Sequence, residues 1–239
     1  MIEVLGETGS TNADIAARLR AGQLAPEGHW LVANRQSAGR GRQGREWCGG
    51  AGNFMGSTVV HQRFGDPPPG TLALLAGLAV HEAVIPHLPP PHRASLKWPN
   101  DVMVNSAKLA GILLEREGEA VIIGIGVNLV SAPQLPDRNT SALADFAVAP
   151  TRDTFAAELA HIFTIELTRW RSYGLDPILN RWLAAAHPVG TPLTTGEPGE
   201  THLAGTFSGL TAEGALQLRL ADGSTRAIHA GEVRLAVPD

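Results

Sequence analysis

Hydrophobic and polar positions divide the chain into segments of different texture. From Thr71 to Leu88 apolar residues recur at helical spacing, and Pro89-Pro90-Pro91 closes the run. Residues 152–172 repeat that spacing over a longer amphipathic stretch ended by Gly174, and Pro177–Ala186 repeat it briefly. Near the start, Ala13–Arg20 reads as a short Ala-rich helix, and one of Ser10, Thr11 and Asn12 is expected to cap it. Runs rich in Ile, Leu and Val at strand length are Trp30–Ala33, Phe54–His61, Ala94–Trp98, Leu109–Arg116 and Ala120–Leu129. Glu117-Gly118-Glu119 has the composition of a hairpin turn between the last two. Beyond Pro188 apolar and polar residues alternate, with Gly turns at Glu213-Gly214 and Asp222-Gly223. That pattern predicts short antiparallel strands in a small barrel, so the chain is expected to divide into residues 1–187 and 188–239.

Composition narrows the class. The 239 residues are 44% hydrophobic and 18% charged, ordinary values for a globular protein. The net charge is −4 and the pI about 6.1, which argues against a generally basic nucleic-acid surface. Of the 19 basic residues only Lys97 and Lys108 are lysines. A chain that otherwise uses Arg marks these two as places where a compact ammonium serves and a forked guanidinium does not. Cys48 is the one cysteine, so no internal disulfide can form and a reducing compartment fits. The N-terminal segment lacks the pattern of a signal peptide. The apolar stretch Leu72–Ile85 is broken by His81 and Glu82 and falls short of the ~20 residues of a membrane span. A soluble, cytoplasmic protein with no membrane partner is expected.

Three segments carry candidate chemistry. Gly39-Arg40-Gly41-Arg42-Gln43-Gly44-Arg45 formally matches the dinucleotide fingerprint, but no helix-forming sequence follows its glycines, so the pyrophosphate would find no helix N-terminus. What remains is a Gly-rich loop with three arginines and Trp47 beside it. It suits either pairing with carboxylate or phosphate oxygens, or simple solvation. Lys97-Trp98-Pro99-Asn100-Asp101 places a polar turn at a strand end, and Lys108-Leu109-Ala110-Gly111 opens the next strand. Ala110 stands where a covalent polynucleotide ligase would need Asp. In Gly124-Ile125-Gly126-Val127-Asn128-Leu129, glycines inside an apolar strand mark either close approach of a ligand or tight packing. Asn128 there needs hydrogen-bond partners, an adenine edge being one choice. His81 and Glu82 do not extend to a zinc motif, the nine histidines show no metal spacing, and Cys48 has no evident base and reads as structural.

Taken in order, Ser10-Thr11-Asn12, Gln36 with GRGRQGREW, KWPND, KLAGILLE and GIGVNL closely resemble the biotin protein ligase family, and GALQLRL with GSTRAIHAGEVRL resembles that family's small C-terminal domain. The resemblance covers nearly the whole chain. It implies an α+β fold: a mixed, largely antiparallel sheet packed with helices, of the class II synthetase-like kind, followed by an SH3-like barrel. It also implies the reaction. Biotin and ATP, with Mg2+ as counter-ion, would form biotinyl-5′-AMP, and the acyl group would pass to a lysine of a biotin carboxyl carrier domain. By similarity Lys108 and Arg42 are the catalytic pair, Lys108 acting as a point charge on the reacting carboxylate and phosphate. Ser10, Thr11, Asn12, Gln36, Gly39, Arg40, Gly41 and Gly111 join them as biotin-binding positions. Arg40, Arg42, Arg45, Trp47, Asn100, Asp101, Lys108 and Asn128 would hold the adenylate, and the metal ligands stay unassigned. Lys97 is expected to support the site. The STN motif begins at residue 10, so no DNA-binding head is expected before it and direct DNA binding is not expected. A homodimer remains open. The alternative is a lipoate or octanoate ligase of the same fold, to which the GRGRxGRxW and KWPND motifs are less suited.

Overall fold

The computed structural model describes residues 1–196 and 202–235. Four helices and seven strands make up the larger part. Strands β1 (Ile2–Thr8), β2 (Trp30–Gln36), β3 (Phe54–His61), β4 (Ala94–Lys97), β5 (Asp101–Val104), β6 (Ala107–Glu117) and β7 (Ala120–Val127) form one sheet. Their order is β1-β2-β3-β7-β6-β5-β4; β1 and β2 run parallel and every other neighbouring pair is antiparallel. Gly118 turns the β6–β7 hairpin at φ 60°, a backbone conformation that disfavours a side chain. Helix α1 (Thr11–Arg20) lies on one face of the sheet; α2 (Leu72–Val84), α3 (Arg152–Tyr173) and α4 (Asp176–Ala185) cover the other. The sequence pattern misses β1 and β5. Each is short or part-polar, and only pairing with a neighbour makes it a strand.

The alternation along β7 explains why the two faces differ. Val121, Ile123, Ile125 and Val127 point into the main core beneath α2, α3 and α4. Ala120 and Ile122 point the other way and pack with Ile15 of α1, Leu31 and Val59. The next two residues on that face are Gly124 and Gly126, and Asn128 continues the alternation. The front face is therefore apolar under α1 and then opens, where the side chains stop, into a hollow. Behind it, Trp30, Phe54, Phe155 and Phe163 make edge-on or tilted ring contacts at 5.4–6.2 Å. Such pairs add about 1 kcal/mol each to the burial of their area, giving the site a rigid backing.

Helix α2 with its flanking turns, Pro69–His87, is long and apolar enough to cross a membrane by composition, contrary to the sequence expectation. Its residues are nevertheless mostly buried against α3, α4 and the sheet, so its apolarity belongs to the core. Glu166 of α3 is fully buried and takes its counter-charges from Arg169 and from Arg181 of α4, both at 2.5 Å.

The smaller part contains β8 (Pro192–Gly196), β9 (Leu203–Leu210), β10 (Leu216–Arg219), β11 (Thr225–Ile228) and β12 (Glu232–Leu235), an antiparallel sheet in the order β11-β10-β9-β8-β12. The expected short antiparallel strands are present. Among the described residues, however, β11 and β12 are edges and not partners, so the sheet is not a closed barrel. Three residues of β11 are exposed, and Ile228 packs against the core. Helix α4 ends at Ala185 and β8 starts at Pro192, on either side of the boundary read from the sequence. Leu193, Phe207, Leu216, Leu218 and Val233 join the main core, Phe207 meeting Trp182 of α4 edge-on. The two parts share one hydrophobic core.

Candidate active site

A cavity of about 370 Å³ lies on the open front of the sheet. Strand β7 serves as its ruler. Gly124, Gly126 and Asn128 line it at two-residue intervals, roughly 7 Å apart. A Cβ at Gly124 would stand 2.4 Å from Asn12 Oδ1, and one at Gly126 would stand 2.2 Å from the Trp47 indole. A Cβ at Gly111, paired with Gly126 across the sheet, would stand 3.1 Å from Lys108 Nζ. The glycines thus admit side chains of the protein itself: Asn12 at one station, Trp47 and Lys108 at the next.

The first station is a neutral hydrogen-bond network. Ser10 occupies the N-cap position of α1 without the expected side-chain cap and lines the cavity, where the resemblance put it. Gln36 Oε1 accepts from Thr11 N at 2.7 Å and from Thr11 Oγ1 at 3.1 Å. Thr11 Oγ1 also lies 2.6 Å from Ser57 Oγ, which donates to Asn12 Oδ1 at 2.6 Å. Asn12 Nδ2 donates to Glu115 at 2.7 Å, and Glu115 pairs with Arg40 at 3.1 Å. Ser57 and Glu115 were missed in the sequence reading. The signal for Ser57 is a polar residue beside Gly56 in a largely apolar, buried strand.

The second station is cationic. Lys108 Nζ lies 5.7 Å from the centre of the Trp47 ring and 2.6 Å from Asp101 Oδ1. The other carboxylate oxygen, Asp101 Oδ2, accepts from Lys97 at 3.1 Å. Burial works to raise the Asp101 pKa, but the ammoniums of Lys108 and Lys97 override it and hold it at about 2, below its ordinary 3.8. The stability this gives is present above pH 3.8 and is lost as pH falls toward about 2. Wild type is therefore expected to unfold at a higher temperature than Asp101→Asn at pH 6, with the gap narrowing between pH 4 and 2. A gap that stayed constant in calorimetric scans across that range would contradict the assignment.

The Gly/Arg loop closes over these stations and touches the smaller sheet. Gly39 is absent from the cavity wall, unlike the other sequence-predicted residues. A Cβ there would stand 2.8 Å from the Trp47 carbonyl, and Gly39 O accepts from Trp47 N, so Gly39 lets the loop close on itself. Arg42 reaches Asn100 Oδ1 and Gly231 O, each at 3.2 Å, and Arg45 makes a two-pronged pair with Glu232 at 2.8 and 2.9 Å. Asn100 spends its amide nitrogen on Ile112 O at 2.7 Å. It therefore orients Arg42 and the β4–β5 turn from a position on the cavity wall. Arg138 and Glu232 also line the cavity and were missed; they lie in a loop and a short strand that only folding brings to the site. Cys48 is exposed at the rim, its thiol pKa raised by partial burial and by Glu46.

The third station is Asn128. Its Nδ2 donates to Ser141 O at 3.1 Å, while its buried Oδ1 has no partner among the described residues. Asn53 braces this corner, its Oδ1 accepting from the backbone N–H groups of Leu129, Val130 and Ser131 at 2.9–3.2 Å.

Comparison with known proteins agrees with this geometry. Residues 8–128 match the model of the biotin/lipoate A/B protein ligase family, and residues 194–235 match the biotin protein ligase C-terminal domain. The chain is 38% identical to a biotin–[acetyl-CoA-carboxylase] ligase of Paracoccus denitrificans, over 90% of this chain and 93% of that one. It is 36% identical to the protein of the same name in Mycobacterium tuberculosis, over 97% and 88%. The fold superimposes on the Aquifex aeolicus biotin protein ligase solved with biotin and ATP at a TM-score of 0.85, with 24% identity over 98% of this chain and 99% of that one. The chain belongs to the biotin/lipoate A/B protein ligase family and carries the C-terminal domain of its biotin protein ligases.

Proposed function

We propose that the protein is an ATP-dependent biotin protein ligase. The observation that carries this reading is the sequence of stations along β7: a neutral hydrogen-bonding network, a lysine, and a buried amide with an unused acceptor. The network formed by Thr11, Gln36, Ser57 and Asn12 offers donors and acceptors to a polar, uncharged ureido ring. The biotin carboxylate then reaches the Lys108 station. There its oxygen attacks the α-phosphorus of ATP, the bond to pyrophosphate breaks, and biotinyl-5′-AMP forms. Both reactants are anionic, and a fixed ammonium stabilises the charge that accumulates between them. Asn128 Oδ1 is suited to accept from the adenine amino group beside Trp47. In the second step the amine of a carrier-domain lysine attacks the acyl carbon and AMP leaves. The closed Gly/Arg loop keeps water from the acyl-phosphate until then.

The carboxylates at the site are poor candidates for holding a resident Mg2+. Both Asp101 oxygens face ammoniums, Glu232 faces Arg45, and no group of three metal-binding side chains occurs among the described residues. Mg2+ belongs to this proposal only as the counter-ion that arrives with ATP. The acceptor is a carboxylase, as the names of the two relatives imply; its biotin carboxyl carrier domain as the site of attachment and a cytoplasmic location are part of the same reading.

The test is ATP–pyrophosphate exchange with biotin, lipoate and octanoate. Exchange is expected with biotin, and at least about 100-fold less with octanoate, whose alkyl end leaves the buried polar network unpaired. Faster exchange with lipoate or octanoate would transfer the protein to the other branch of the family.

A further inference from the structure

We propose that Lys97 is a positioning residue for the adenylation step: it balances the charge of Asp101 so that Asp101 can hold Lys108 in place without cancelling the positive charge that Lys108 presents to substrate. This rests on the reading of Lys108 given above and goes beyond it.

The geometry poses the problem plainly. Asp101 Oδ1 lies 2.6 Å from the Lys108 ammonium at the start of β6, an ion pair that tethers it. A buried pair of that kind is close to neutral from a short distance, and a neutral pair does little for two reacting anions. Lys97 ends β4 and reaches the opposite carboxylate oxygen at 3.1 Å. All three side chains are largely buried, with 10–17% of their surfaces exposed. Two ammoniums against one carboxylate leave one positive charge, and Lys108 delivers it beside Trp47 and Gly111. The antiparallel register of β4, β5 and β6 sets the arrangement, since Lys97 pairs with Asp101 and Asp101 with Gly111.

Arg138 and His187 also sense the trio. Arg138 feels the Asp101 charge from the opposite loop, but its guanidinium is engaged by Asp137. His187 faces Lys97 from the end of α4. Burial and the Lys97 charge both lower its pKa, so it brings no second cation. Lys97 compensates the Asp101 charge by direct contact. Its identity fits the task, because an ammonium meets one carboxylate oxygen as a point charge whereas a guanidinium would span both and displace Lys108.

The experiment is a double-mutant cycle on the full chain, read by biotin-dependent ATP–pyrophosphate exchange, by biotin affinity from calorimetry, and by thermal midpoint. Lys97→Met is expected to lower kcat for exchange about 100-fold while biotin affinity changes less than about threefold. Adding Asp101→Asn to Lys97→Met is expected to restore exchange about tenfold, because it removes the uncompensated carboxylate. Lys97→Arg, which keeps the charge but not the shape, should fall between wild type and Lys97→Met. A double variant no faster than Lys97→Met, or a Lys97→Met enzyme at wild-type rate, overturns the proposal and leaves Lys97 a structural residue. If Lys97→Met does not fold, the comparison moves to Asp101→Asn with and without Lys97→Met. The charge argument then requires Lys97→Met to cost less than about tenfold in the Asp101→Asn background, where no carboxylate is left to balance, and a loss of about 100-fold there overturns it. Absence of biotin-dependent exchange in the wild type would instead refute the underlying reading of the site.

Discussion

Lys108→Ala is expected to abolish biotin-dependent ATP–pyrophosphate exchange, lowering it by at least about 10³-fold, in a protein that still folds. The loss follows from what the side chain supplies. It is a point charge on a rigid strand, in a cavity with little solvent, aimed at the place where a carboxylate and a phosphate must meet. Folding survives because Asp101 keeps Lys97 as its partner at 3.1 Å, so no carboxylate is stranded in the interior. The thermal midpoint should stay within about 5 °C of wild type. Exchange near the wild-type rate in the folded variant would remove Lys108 from the chemistry. Lys108→Arg is expected to recover little, since the guanidinium would bracket Asp101 and project past the reacting atoms.

Arg42→Ala should act on retention. Its guanidinium spans two parts of the molecule, from Asn100 in the β4–β5 turn to the Gly231 carbonyl just before β12. Together with the Arg45–Glu232 pair it ties the Gly/Arg loop to the smaller sheet. Without Arg42 the loop keeps one of these two ties, and biotinyl-5′-AMP is expected to leave about ten times faster. More of the intermediate is then lost to water and less reaches the carrier domain. A chase of preformed biotinyl-5′-AMP with excess biotin measures this directly. Release at the wild-type rate would show that the loop is not the barrier. Glu232→Ala, which unties the other clasp, offers an independent comparison at a residue far from Arg42 in sequence.

Much of the site could be read along the chain because its residues cluster in short motifs. The STN, GRGRQGREW, KWPND and KLAG segments all deliver side chains to one cavity, and each lies at a strand end, in a loop or at the start of a helix. The G-x-G-x-N pattern of β7 was legible in principle as one face of a strand with its side chains removed, since alternation places Gly124, Gly126 and Asn128 together. What fills that space was not. Nothing in the local sequence says that Asn12 occupies the gap over Gly124 and Trp47 the gap over Gly126, because those contacts join segments more than seventy residues apart. The protein partners of Asn100 and Asp101 were hidden for the same reason. As an isolated Asn-Asp turn they look available to a ligand, but the folded chain engages Asn100 with Ile112 and Arg42, and Asp101 with both lysines.

The sequence by itself determined the α+β alternation, the family motifs and the significance of having only two lysines, because these rest on local periodicity and on residue identity. Only the tertiary structure decided that the two lysines share one carboxylate, that Ser57 completes the polar network, and that Glu232 of the smaller sheet holds the loop. Each of those depends on charge and hydrogen-bond partners brought together across the sheet or between its two parts, and the strength of such contacts is set by burial and distance, which exist only after folding.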